Sequence, residues 1–186
     1  MTTADIESDM TYFHASKNYL EEGSVIAAVD SSQRNHLAFF DNRTIEANRG
    51  NPDFEARFHA EHVFEAIRKS YFPDRPSRKD SLFASINLED AKRWVKSGKA
   101  REGCHIYPVY PTRDTLIFVA DLCWYNYAIR VFKGLLSDSV FGKETPRLTA
   151  KLAAREYWAG RSFVAPQERL SEVLLLGKVK IGKLAT

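Results

Sequence analysis

Cysteine is scarce in this chain: Cys104 and Cys123 are the two present among 186 residues. Both sit in apolar surroundings with no Cys-x-x-Cys pair, so they read as buried free thiols in a reducing cytoplasm, not as a disulfide framework or a zinc site. No run approaches the roughly 20 apolar residues that a bilayer span requires, so no membrane partner is expected. There is no Gly-x-Gly-x-x-Gly after a strand, no Walker-type phosphate loop and no nucleophile elbow, which removes the common dinucleotide folds, P-loop enzymes and α/β-hydrolases. Nine Gly and seven Pro are too few for a low-complexity chain. The opening residues are polar and acidic, unlike a secretory signal, and residues 1–10 read as a flexible acidic leader.

What is present suits a folded domain. The chain is 44% hydrophobic and 12% aromatic, which supports one full core, and residues 1–186 are expected to form a single domain. The net charge of +3 is unevenly spread. Residues 1–30 hold six acidic groups against Lys17, whereas residues 142–186 hold nine Lys or Arg against four Glu, a local +5. A basic C-terminal third fits a polyanionic partner such as RNA, or a dinucleotide pyrophosphate, and fits an ordinary solvated surface equally.

Along the chain, residues 11–15 read as a short aromatic strand, and the Gly23-Ser24-Val25-Ile26 turn leads into a second extended piece. Residues 30–50, rich in Asp, Asn, Ser and Arg, read as a long loop. Asn51-Pro52 starts a helix whose apolar residues recur from Phe54 to Tyr71. Residues 81–85 form a strand, and Asn87 caps a helix over 88–97 that Gly98 stops. Residues 105–110 alternate like a strand that Pro108 confines to an edge or a bulge. A buried strand at 115–120, an aromatic helix at 121–133 and a helix opened by Thr145-Pro146 follow. Two strands, 170–176 and 178–184, joined at Gly177, complete the chain. Strands and helices do not alternate regularly, so the fold class is α+β: a mixed or antiparallel central sheet, split in two, with flanking helices.

Three strand motifs carry chemistry. Tyr12-Phe13-His14-Ala15-Ser16 holds an imidazole in an aromatic strand. Ser81-Leu82-Phe83-Ala84-Ser85 flanks an apolar triplet with hydroxyls. Ser171-Glu172 leads directly into Val173-Leu174-Leu175-Leu176-Gly177. Taken singly, each suits a core histidine, strand ends or an exposed rim carboxylate. If the first and the penultimate strand lie side by side, His14 and Glu172 frame one crevice. His59 and His62 lie three apart on the first long helix without further ligands, so no metal is expected.

The order His, then Ser with an aromatic, then Glu resembles the ADP-ribosyltransferase superfamily, in its small bacterial toxin-like branch. Over most of its length the chain also resembles a family of small uncharacterised bacterial proteins. The first resemblance implies a split-sheet fold that binds NAD in a cleft and breaks the nicotinamide–ribose bond. It makes Glu172 and His14 catalytic and gives His14, Ala15, Ser16, Arg78, Ser81, Phe83 and Tyr157 to NAD binding. Glu172 would stabilise an oxocarbenium-like sugar, as a carboxylate does in glycoside hydrolysis. Phe83 or Tyr157 would stack on the nicotinamide. Arg78, or else Arg34 or Arg43, would hold the pyrophosphate. Leu170 stands where arginine- or asparagine-directed members carry Glu or Gln, which leaves nucleic acid or another protein side chain as the acceptor. The implied protein is a cytoplasmic toxin or phage-defence effector, RNA or DNA being slightly favoured as target, with an antitoxin as a further partner. Two alternatives stand beside it: an RNA 2′-phosphotransferase on a related site, and a non-catalytic binding or immunity module.

Overall fold

The computed structural model describes residues 10–28, 41–96, 103–135, 145–163 and 169–185. Residues 1–9 of the acidic leader, Arg34 and the Gly98 stop lie outside these residues. The residues gather into two compact units that interleave along the chain. One is built from residues 1–34, 76–119 and 170–186, the other from 35–75 and 120–169.

The first unit is the sheet unit. β1 (Tyr12–Ser16), β2 (Val25–Ala27), β4 (His105–Pro111) and β7 (Lys178–Ile181) form a four-stranded antiparallel sheet in the order β1-β4-β7-β2. β3 (Leu82–Ala84), β6 (Ser171–Leu176) and β5 (Leu116–Asp121) form a second sheet with β6 in the middle. Strand composition follows this placement. β1, β4 and β7 bury alternate residues, as strands with one covered face do. The near-continuous apolar run of β6 is buried on both faces, the pattern of a central strand. The core joins both sheets: Tyr12, Tyr107, Val109, Val179 and Ile181 meet Leu82, Ala84, Val173 and Leu175. α3 (Leu88–Lys96) packs against β1 and begins where Asn87 Oδ1 accepts the Asp90 N–H at 2.7 Å.

Two expectations are corrected here. β1 pairs with β4 and not with the penultimate strand β6. The two sheets are instead stitched by a bridge between Phe13 and Ser85, with reciprocal backbone hydrogen bonds of 2.9 and 2.8 Å. β4 is an interior strand, so Pro108 is not at an edge; it lies where the pairing slips by one residue, from Val109 opposite Ile181 to Ile106 opposite Ala185, which is the bulge the sequence allowed. There its carbonyl accepts the Gly182 N–H at 2.8 Å, just past Ile181. β5 is not uniformly buried, since Leu116 is 53% exposed while Phe118 and Ala120 are enclosed.

The second unit is helical. α2 (Pro52–Tyr71), α4 (Leu122–Phe132) and α5 (Pro146–Trp158) pack on one another. Their starts follow from capping: Asn51, Asp121 and Thr145 each accept backbone N–H groups of the first turn. Small residues, Ala56 and Ala60 of α2, Ala128 of α4 and Ala150, Ala153 and Ala154 of α5, let the helices approach closely. Aromatic rings fill what remains, with Phe64 edge-on to Tyr125 and Tyr157 at 5.2 Å. Buried polar tips are matched: Trp158 Nε1 donates to the Phe64 carbonyl at 2.8 Å, and the Tyr125 hydroxyl donates to Glu61 at 2.8 Å. The long loop expected at 30–50 contains a short helix, α1 (Asn42–Ala47). Asp41 caps it by accepting the Thr44 N–H and hydroxyl, and these bonds hold its carboxyl below the usual carboxylate range. Residues 30–40 of that segment are outside the described residues.

The crossover from β6 to β7 takes a single residue. Gly177 adopts φ +139°, and a Cβ there would lie 2.9 Å from the Thr115 Cα. Backbone strain and overpacking therefore coincide at this position. Gly177→Ala is expected to lower stability by about 3 kcal/mol in chemical denaturation. A loss under about 0.5 kcal/mol, the range of ordinary surface changes, would contradict this account of the crossover.

Candidate functional site

The site grows from the pairing of β3 with β6. The antiparallel register sets Phe83 opposite Leu174 and Ala84 opposite Val173. Residues two apart share a face, so Phe83, Leu174 and Glu172 lie on one side of this pair, and Leu82, Ala84, Val173 and Leu175 turn to the core on the other. Just before β3, Ser77 starts a short 3-10 turn, Arg78–Asp80, by accepting the Lys79 N–H. From that turn the Arg78 side chain runs back along the Phe83 face. Its guanidinium carbon stands 5.0 Å from the centre of the Phe83 ring, and Nη1 donates to Glu172 Oε2. Arg78 and Glu172 are 3% and 5% exposed, so the ion pair is buried.

β1 reaches the same residue from the other sheet. His14 Nδ1 lies 2.7 Å from the Phe83 carbonyl oxygen. A carbonyl can only accept, so Nδ1 carries the proton. Phe83 thus collects the three motifs: its carbonyl takes His14, its ring takes Arg78, and Arg78 takes Glu172.

A small pocket opens beside this cluster, lined among others by Phe13, Ala15, Phe83, Ser85, Trp94 and Glu172. Its volume is about 20 Å³, room for about one water. Phe13 and Ala15 alternate with His14 along β1, so the imidazole lies on the opposite face of that strand from the pocket. The expected single crevice framed by His14 and Glu172 is therefore corrected to a linkage through Phe83, with Arg78 occupying the space over its ring.

Ala15 lines the pocket, and Ser16 accepts the Asn18 N–H through Oγ at 3.1 Å. Ser81 donates to the Ser77 carbonyl at 2.7 Å and so braces the turn that carries Arg78. Tyr157 belongs to the helical unit, where it has no exposed surface and packs on Phe64 and Trp158, so it leaves no ring face for a ligand. Arg43 is exposed on α1 of that unit. His59 and His62 are exposed on α2 and contact the Phe58 ring. Among the described residues no group of three or more His, Cys, Asp or Glu could hold a metal, and no helix is long and apolar enough to cross a membrane. Cys104 and Cys123 are free and half-buried, not buried.

Sequence reasoning missed one network. Ser171 Oγ donates to Asp90 at 2.7 Å and accepts the Ile86 N–H at 3.3 Å, which ties α3 to the first residue of β6 beside the pocket. Asp90 reads in sequence as the third residue after a cap, and its role as an acceptor for a distant Ser has no local signal. Arg78 was likewise legible as a cation but not as the partner of Glu172.

A buried ion pair costs most when half of it is removed. Arg78→Met alone is expected to destabilise the chain by about 3–5 kcal/mol, because Glu172 is left buried without its cation. Arg78→Met combined with Glu172→Leu is expected to recover most of that loss. A double-mutant cycle in urea measures it, and simple additivity of the two losses would show that the two groups do not act as a pair.

No curated protein matches the chain. The family described as "Protein of unknown function (DUF2441)" matches residues 9–185. With nearly its whole length matched, the chain belongs to that family.

Proposed function

We propose that this chain is an NAD-dependent ADP-ribosyltransferase that transfers ADP-ribose to a macromolecule, nucleic acid being favoured over protein. The observation that carries the reading is the convergence of three distant motifs on Phe83. His14 binds its carbonyl, and Arg78 lies over its ring and reaches Glu172. A His, an aromatic and a carboxylate on three strands of two antiparallel sheets are the elements that the ADP-ribosyltransferase resemblance requires.

In this proposal Phe83 gives the nicotinamide a stacking face, and the backbone at Ala15 holds its amide. Arg78 moves from Glu172 to the dinucleotide pyrophosphate, which two charge-assisted hydrogen bonds hold well. That movement enlarges the pocket and frees the carboxylate. The bond between the ribose C1′ and the nicotinamide nitrogen breaks, and nicotinamide leaves with the electron pair. Glu172, held in a partly dry site, stabilises the positive charge that develops on the sugar. The acceptor nucleophile then bonds to C1′ and its proton passes to Glu172. His14, on the face of β1 turned from the pocket, anchors Phe83 through its carbonyl.

One observation favours a second reading, a non-catalytic module. Glu172 is enclosed and already neutralised by Arg78, and the adjoining pocket holds about 20 Å³. In that reading the pair is structural. Label transfer separates the two. The purified chain is incubated with NAD labelled in its adenylate half, together with RNA, DNA or a protein lysate. Transfer to an acceptor is expected, and Glu172→Gln, which lowers stability but keeps a side-chain oxygen for Arg78, is expected to reduce it by about 10²–10³-fold at a temperature where circular dichroism shows the variant folded. No transfer to any acceptor, or transfer unchanged in Glu172→Gln, would leave the non-catalytic reading standing.

A further inference from the structure

We infer that the outer face of α5 in the helical unit binds single-stranded nucleic acid. Arg147, Lys151 and Arg155 are spaced four residues apart and are all exposed. At 100° per residue they fall within about 80° of one another, on a stripe about 12 Å long. Arg147 and Lys151 make no ion pair among the described residues. The nearest acidic residue on the helix, Glu156, lies about 100° further round than Arg155. It is occupied by Arg161, at 3.0 and 3.2 Å. The stripe therefore presents three positive charges without a compensating carboxylate on its own helix face.

An aromatic residue terminates the stripe. The Arg155 guanidinium lies 4.3 Å from the centre of the Tyr71 ring, at the last residue of α2. Tyr71 is nonetheless 56% exposed. A row of cations that tracks a backbone, ending on an exposed ring and a planar guanidinium, supplies the two elements of single-strand recognition: charge for the phosphates and a stacking surface for a base. A membrane surface is less well matched. Helices that lie on lipid bury an apolar face in it, whereas the apolar face of α5 is spent on its own unit through Ala150, Ala153, Ala154, Tyr157 and Trp158. This inference uses the helical unit alone and is independent of the NAD reading.

The test is fluorescence anisotropy on the full chain without NAD. The probes are a labelled single-stranded RNA of mixed sequence, the same sequence as a duplex, polyglutamate, and vesicles containing phosphatidylserine. The variants are Arg147→Ala/Lys151→Ala/Arg155→Ala and Tyr71→Leu, with native circular dichroism as the entrance criterion for both. The single strand is expected to bind more tightly than the other three probes. The triple variant is expected to weaken it at least tenfold and to flatten the slope of log Kd against log salt by about two. Tyr71→Leu is expected to weaken the single strand about tenfold and to leave that slope unchanged. Equal binding of polyglutamate or vesicles, preference for the duplex, or an unchanged salt slope in the triple variant would each overturn the inference.

Discussion

The sheet unit depends on a buried guanidinium–carboxylate pair. Arg78 and Glu172 come from segments 94 residues apart in sequence, and they meet across the ring of Phe83. Two charges withdrawn from water are tolerated only when each satisfies the other and the remaining donors find partners. The pair therefore constrains its surroundings: the turn braced by Ser77 and Ser81 must aim Arg78 along β3, and β6 must keep the register that puts Glu172 on the Phe83 face. A one-residue slip of β6 would turn Glu172 into the apolar core and expel Val173 and Leu175 from it.

The same pair determines what the site can do. A carboxylate in a low-dielectric pocket is strongly attracted to a developing cation, but one that is already matched by an arginine has most of that attraction satisfied. Chemistry at Glu172 therefore requires a competitor for Arg78, and a pyrophosphate is the natural one because it offers the same bidentate acceptance with a second negative charge nearby. In this arrangement a ligand would complete the active form of the site by drawing the arginine away.

Much of the fold is legible in the sequence where local physics decides. Asn51-Pro52 and Thr145-Pro146 announce α2 and α5, because side-chain caps and a proline at the first helical position act within a few residues. The unbroken apolar run after Glu172 marks β6 as a strand covered on both faces. Strand partners are another matter. That β1 lies beside β4 is set by long-range packing, and no residue of Tyr12-Phe13-His14-Ala15-Ser16 encodes it locally. Pro108 announces the one-residue slip in pairing beside it, but not that β4 lies inside the sheet. Tyr157 misleads, since an aromatic near the end of a helix reads equally as a stacking surface or as core. Of the candidate site, His14, Phe83, Arg78 and Glu172 are legible as chemically capable side chains, whereas the linkage among them emerges only from the β3–β6 register and the Phe13–Ser85 bridge.

A crystal structure with a non-hydrolysable NAD analogue would show whether Arg78 leaves Glu172 for the ligand. The account predicts nicotinamide against Phe83 and the Ala15 backbone, the pyrophosphate on Arg78, and Glu172 parted from that arginine and turned to the ribose. An analogue bound elsewhere, or an Arg78–Glu172 pair left intact at saturating ligand, would contradict it.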